Sequence, residues 1–362
     1  MHHPPSRPHR ASRRLPAPAA LAIELPAVPV LSAPGVSDDL VEASPRLRQW
    51  LRARRVCLAL STGESGKIIT LGAGPSGLTV FDVSCDSPGV LLQTEAGLYV
   101  AAGSRVWRFD DVLTDGELFR GTDRLCLPGQ CRPTGAIGIQ DLAAGDSARL
   151  LVAAAHFNCI ARMNSRGDLK PIWRPAFIDK IVREDRCHLT GFCLREGAVA
   201  YVTVTAASNV KDGWRQAPSG AGQVIDAATH RVVAEGLTQP HAPRLYRNRL
   251  WVLESGTGTL GWIDLEQRRF ERFAQVAGFP RGLRFIGDHA LVMTAQRRGE
   301  GEGSAGIHWI NLKTGKTDHR LLLKGAVTEA IDVAVIPGET VPRLAGLSLA
   351  DSGLEAPSRI AI

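Results

Sequence analysis

GLTQPHAPRLYRNRLWVLESGTGTLGWID, running from Gly236 to Asp264, is the stretch whose pattern decides the fold. Arg249–Leu253 is short, apolar and aromatic, the composition of a buried strand. Ser255-Gly256-Thr257-Gly258-Thr259 then reverses the chain with small residues and two glycines. Leu260–Leu265 supplies a second strand, and Asp264 leads it into a polar turn. The same run holds the densest group of chemically capable side chains: His241, Arg244, Glu254, Ser255 and Thr257.

The phrase recurs. Gly97-Leu-Tyr-Val, Arg149-Leu-Leu-Val, Ala198-Val-Ala-Tyr-Val, Arg249-Leu-Trp-Val and His289-Ala-Leu-Val follow one another at intervals of about 40 to 50 residues, the repeat length of propeller blades. Each is expected to be the innermost strand of a blade. A strand ending in Asp or Asn follows each one (Asp110, Asn164, Asp226, Asp264, Asn311), and a short side-chain acceptor there can hold the next turn's backbone amides. Five units are visible. A sixth forms if Ile331–Ile336 pairs with Val56–Val83, which closes the ring and removes free strand edges. The expected fold is therefore all-β, a six-bladed β-propeller over residues 56–338, with seven blades as the alternative.

Outside the repeats, residues 1–36 are rich in Pro, Ala and Arg and predict a disordered leader. Prolines and Glu24 interrupt its apolar run, which disfavours a signal peptide. Residues 37–55 predict a short helix, with Pro45 starting or breaking it, and residues 339–362 a loose C-terminal extension. The net charge of +7 comes largely from arginines in the leader and around residues 46–55, without aromatics interleaved along a basic stripe, so nucleic acid is not an expected partner. No apolar run is long enough to span a membrane. Seven cysteines, an odd number with no CxxC pair, point to free buried thiols and a cytoplasmic location.

The candidate site lies where the blade-entry loops meet the axis. His156, His188 and His241 come from three successive units and could converge there. Neutral imidazole suits a divalent transition metal, and Glu184 or Glu254 could activate a bound water as general base. The plainer alternative is that each histidine only hydrogen-bonds its own loop. Arg174, Arg186, Arg244 and Arg281 present planar donor forks suited to a carboxylate or phosphate; the alternative is that they tie blades together through loop carbonyls and acids such as Glu184, Asp185, Glu254 and Glu329. Ser255 lacks the flanking glycines and following helix of a nucleophile elbow, and Gly72–Gly77 lacks the helix of a dinucleotide loop.

The segments HFNCIA, EDRCHLTG, GWR at Gly213–Arg215, PHAPRLYRNRLWVLESGTG, PRGLRF at Pro280–Phe285 and IDVAVIPG at Ile331–Gly338 resemble a bacterial family of conserved hypothetical proteins of unknown function, predicted to be β-propellers. The resemblance runs from about Gly66 to Gly338. It implies that His156, Asn158, Glu184, Asp185, Arg186, His188, Trp214, His241, Arg244, Glu254 and Arg281 occupy the family's motif positions. In Thr134–Leu142 this chain departs from the family pattern, with Gly138 and Gln140 where Asp and His are usual. A looser resemblance, of fold only, is to gluconolactonase-like six-bladed propellers, which hold a divalent metal in the channel.

Three functions compete on this basis. The first is binding of a small anionic molecule or a peptide at the channel mouth, with Asn158, Arg186, Trp214, Arg244 and Arg281 as contacts. The second is a metal-dependent enzyme, a lactone or ester hydrolase or a peptide-modifying enzyme, with His156, His188 and His241 holding the metal and Glu184 and Glu254 as catalytic groups. The third is a protein-interaction scaffold without catalysis. Oligomeric state is open.

Overall fold

The computed structural model describes residues 40–74, 77–119, 121–146, 149–296, 305–325, 327–338, 341–345 and 347. The sequence-predicted leader, residues 1–36, lies outside them. Six antiparallel sheets follow one another around a common axis, each built on four strands. Blade 2 comprises Pro88–Thr94, Gly97–Ala102, Arg105–Asp111 and Leu125–Pro133; blade 3, Ile139–Ala144, Leu150–Ala154, Cys159–Met163 and Leu169–Trp173. Blade 4 comprises Leu189–Arg195, Ala198–Val204, Gly222–Asp226 and Val232–Leu237; blade 5, Pro240–Tyr246, Arg249–Glu254, Thr259–Asp264 and Arg269–Gln275; blade 6, Phe279–Ile286, His289–Ala295, Gly306–Asn311 and Thr317–Leu323.

Blade 1 is made from both ends of the chain. Val56–Ser61, Lys67–Ala73 and Leu78–Ser84 take their inner neighbour from Asp332–Pro337, in antiparallel register from Val56 opposite Pro337 to Ser61 opposite Asp332. The pairing expected from the sequence is present, and it closes the ring by giving blade 1 its innermost strand.

One expectation fails by a single strand. The apolar repeats beginning at Gly97, Arg149, Ala198, Arg249 and His289 are second strands, not innermost ones. The innermost strands are Pro88–Thr94, Ile139–Ala144, Leu189–Arg195, Pro240–Tyr246, Phe279–Ile286 and Asp332–Pro337, which face one another around the axis. They carry Asp, Arg, Gly and Pro, and all but Asp332–Pro337 bulge against their neighbours, so they lack the clean apolar pattern of a strand. Second strands are buried on both sides and read as uninterrupted apolar runs.

The core lies between neighbouring blades. Leu58, Leu60, Ile69, Leu291, Ile307 and Trp309 fill the space between blades 1 and 6, and Val202, Leu151, Ile160 and Phe192 that between blades 3 and 4. The expected 37–55 helix is shorter, spanning Leu47–Arg54 with Leu47, Trp50 and Leu51 buried. Val41–Ala43 instead adds an outer strand to blade 6, opposite Leu321–Leu323; Pro45 cannot sit inside a helix, so the residues before it take extended backbone. The expected loose C-terminal extension is docked where it is described. Arg343–Leu344 pairs in parallel with Leu125 and Cys126 on the outer edge of blade 2, and the Thr70 hydroxyl donates to the Pro342 carbonyl. All seven cysteines are free and only Cys131 is not fully buried, as the sequence suggested.

Candidate functional site at the channel mouth

Antiparallel blades bring the start of each innermost strand and the end of each second strand to the same face. There the six innermost strands surround a cavity of about 190 Å³, to which Asp332, Gly89, Gln140, Thr190, His241 and Arg281 each bring a different blade.

Two equivalent ties hold the strands around it. Arg244 reaches across to Asp141 with both terminal nitrogens, at 2.8 and 2.9 Å, and also donates to the Phe192 carbonyl at 3.0 Å. Asp141 in turn accepts from the Phe192 amide at 3.1 Å. On the opposite side Arg284 donates to Asp332 at 2.9 Å and to the Leu91 carbonyl at 2.8 Å, and Asp332 accepts the Leu91 amide at 3.1 Å. The first tie joins blades 3, 4 and 5; the second joins 1, 2 and 6. Burial pushes the Asp332 carboxyl up, and the guanidinium groups of Arg284 and Arg244 oppose that shift. Gly191 has no side chain because Asp141 and Pro243 fill the space: an added Cβ would lie 3.0 Å from Asp141 Oδ2 and 2.9 Å from Pro243 Cδ. Arg244, expected to bind a ligand, also lines the cavity, with Nη1 and Nη2 engaged in this tie.

Arg281 is differently placed. It lines the cavity, and its contacts are long: Nη1 lies 3.5 Å from Glu329 Oε1, and Nη2 lies 3.4 Å from the Gln140 side-chain oxygen. Burial pulls its pKa below the usual guanidinium range, with Glu329 and Asp332 only partly offsetting the loss of water. Beside it, His241 is buried and its pKa is pushed down to about 3, by burial first and then by the Arg281 charge. The ring is therefore neutral at physiological pH. Its Nδ1 sits 2.9 Å from the Gln239 carbonyl and 2.9 Å from Ser255 Oγ, whose own proton goes to the Pro280 carbonyl. Ser255 is fully buried, so this Ser–His contact presents no nucleophile to the channel.

The remaining predicted residues surround the mouth on the same face. Asn158, in the left-handed region at φ 52°, donates from its amide to the Glu184 carbonyl at 2.6 Å and accepts from the Arg186 and Cys187 amides at 2.9 and 3.0 Å. Arg186 is held by Glu184, Asp179 and Asn209. These three residues clamp the loop that enters blade 4. His188 donates through Nδ1 to Asp185 at 2.7 Å and stacks on Trp214 at 4.0 Å between ring centroids. His156 donates through Nδ1 to the Ala136 carbonyl and packs on Gly138, where a Cβ would meet its ring at 2.7 Å. Glu254 accepts from the Thr238 amide and the Thr257 hydroxyl, which fixes the turn after its strand. His241 and Arg281 thus line the cavity, whereas Asn158, Arg186, Glu184 and Glu254 are engaged in loop structure. Among the described residues, no group of three or more His, Cys, Asp or Glu side chains is spaced to hold a metal ion.

Asp141, Arg284, Asp332 and Gln140 escaped assignment as site residues from the sequence. A signal was there: Asp141-Leu142 and Asp332-Val333, and Arg244-Leu245 and Arg284-Phe285, are the same pair in equivalent strands.

Over residues 45–344 the chain matches the family described as Domain of unknown function (DUF4915), and it belongs to that family. No curated protein matches it in sequence. Among solved structures it is similar to a protein in a nidogen/laminin complex (10% identity, 79% of this chain and 100% of that one, TM-score 0.49). It is also similar to a protein of unknown function from Bacteroides caccae (14% identity, 78% and 99%, TM-score 0.49). A third similarity is to virginiamycin B lyase from Staphylococcus aureus (14% identity, 74% and 79%, TM-score 0.37). The fold rests on the strand pairings described above.

Proposed function

We propose that this DUF4915 chain binds a small anionic ligand in the mouth of its central channel, with Arg281 as the receiving cation. The observation that carries this is the under-compensated guanidinium of Arg281. Arg244 and Arg284 have carboxylates within 2.9 Å and backbone carbonyls besides, while Arg281, half-buried at the cavity, has among the described residues only contacts of 3.4 and 3.5 Å. A carboxylate or phosphate entering the cavity would supply the short charge-assisted bonds that Glu329 and Gln140 do not make. A volume of about 190 Å³ favours a compact metabolite over a peptide, since pockets for drug-sized ligands begin at roughly 300 Å³.

The test is calorimetric titration of the protein with small carboxylates and inorganic phosphate, before and after Arg281→Gln. Loss of one charge-assisted bond is worth about 1.5–3 kcal/mol, so affinity is expected to fall by about 10- to 100-fold. Unchanged affinity in the variant would remove Arg281 from the site. A membrane location is not part of the proposal: among the described residues no helix is long and apolar enough to cross a bilayer.

A further inference from the structure

His241 narrows the class of ligand. The Gln239 carbonyl can only accept, so at 2.9 Å the His241 Nδ1 must carry the ring's proton. Ser255 cannot reverse this assignment, because its single hydroxyl proton is already given to the Pro280 carbonyl. With the ring neutral, Nε2 is then a bare lone pair. No hydrogen-bond partner for Nε2 exists among the described residues, and the atom is not sealed from solvent. Nδ1 is turned to the backbone and to Ser255, which leaves the opposite edge of the ring for the cavity that His241 lines. A neutral acceptor therefore stands in the same small cavity as an under-compensated cation.

An anion alone satisfies only half of that pair. A carboxylate oxygen brought against the Nε2 lone pair is repelled, while a hydroxyl hydrogen is accepted. Gln140 adds to the selection: its oxygen is turned to Arg281, so its amide hydrogens remain to donate to an anion or to a hydroxyl oxygen. We propose that the channel mouth selects a short hydroxycarboxylate, whose carboxylate meets Arg281 and whose hydroxyl donates to His241 Nε2. This rests on the anion-binding role given to Arg281 above. An amino acid could also donate to Nε2, but its ammonium would lie beside the charge of Arg281; Asp141 and Asp332 on the same cavity are already paired with Arg244 and Arg284.

The experiment titrates the full-length protein at pH 7 with four acids of equal chain length: a 2-hydroxy acid, the matching 2-oxo acid, the unsubstituted acid and the 2-amino acid. Lactate, pyruvate, propionate and alanine form such a set. The hydroxy acid is expected to bind up to about tenfold tighter than the other three, the worth of one net hydrogen bond. In His241→Phe, which keeps a planar ring but removes the acceptor, the hydroxy acid should fall to the level of the unsubstituted acid; a circular dichroism melt confirms that the variant is folded. If the variant does not fold, the four wild-type affinities decide alone. Equal binding of hydroxy, oxo and unsubstituted acids would overturn the hydroxyl assignment and leave the anion site standing. Tighter binding of the amino acid would overturn it in favour of an ammonium donor. No binding of any acid up to tens of millimolar, with phosphate also silent, would overturn both.

Discussion

Asn158 illustrates how a single polar side chain can set a loop. It is fully buried, and its amide serves a carbonyl on one side and two backbone amides on the other, all within the blade 4 entry loop. Removing it leaves three backbone groups without partners in a dry site, and each such group costs about 1–3 kcal/mol. Asn158→Ala is expected to destabilise the protein by about 3 kcal/mol or more, read as a lower urea midpoint with unchanged slope. Asn158→Asp keeps the acceptor and should be milder. At this scale the sequence was partly informative. It placed Asn158, Arg186, Glu184 and His188 in one neighbourhood, but not which of them face solvent and which face the backbone. That distinction depends on atoms from residues 26 to 29 positions away in the chain, which no local pattern contains.

At the scale of the element, the strand Asp332–Pro337 matters most. It is the inner edge of blade 1, and Asp332 anchors Leu91 and Arg284 from two further blades. Truncation after Ala330 would expose the edge of Val56–Ser61 and leave Arg284 buried without its carboxylate. Such a chain is expected to lose its cooperative thermal transition and to aggregate through the open edge, measured by circular dichroism melts and light scattering. Asp332→Asn, which keeps the strand and removes only the charge, should retain a cooperative transition at lower temperature. The existence of this strand was legible from its apolar run and its pairing from the need to close a ring. The strands that line the channel were not legible as such. Their polar residues are satisfied only by the opposite wall, so in isolation they resemble loops.

For the whole molecule, two buried histidines couple stability to pH. The His241 pKa is pushed down to about 3 and that of His308 to about 4, burial being the first cause in both. In the unfolded chain each titrates near 6.5. Protonation therefore favours unfolding: the stability held by the neutral folded forms is complete above about pH 6.5 and is lost as pH falls toward about 4. Each group contributes a slope of about 1.4 kcal/mol per pH unit in that window. His308 Nε2 has no hydrogen-bond partner among the described residues, so His308→Leu should flatten the decline between pH 6.5 and about 4 by roughly that slope without lowering stability at pH 7. Urea midpoints collected at half-unit steps would check both. A slope unchanged in the variant would mean that His308 is solvated in the folded state.

Taken alone, the sequence determined the class of architecture: the spacing of the apolar strands, the polar residue leaving each third strand and the complementary ends of the chain point to a closed propeller ring, with six blades expected ahead of seven. Those features are local, or symmetric, and survive without knowledge of what packs on what. Only the tertiary structure decided which charges are spent and which remain. Arg244, Arg281 and Arg284 look alike along the chain. They part because Asp141 and Asp332 come within hydrogen-bonding distance of two of them, whereas the third, among the described residues, meets its carboxylate, Glu329, only at 3.5 Å.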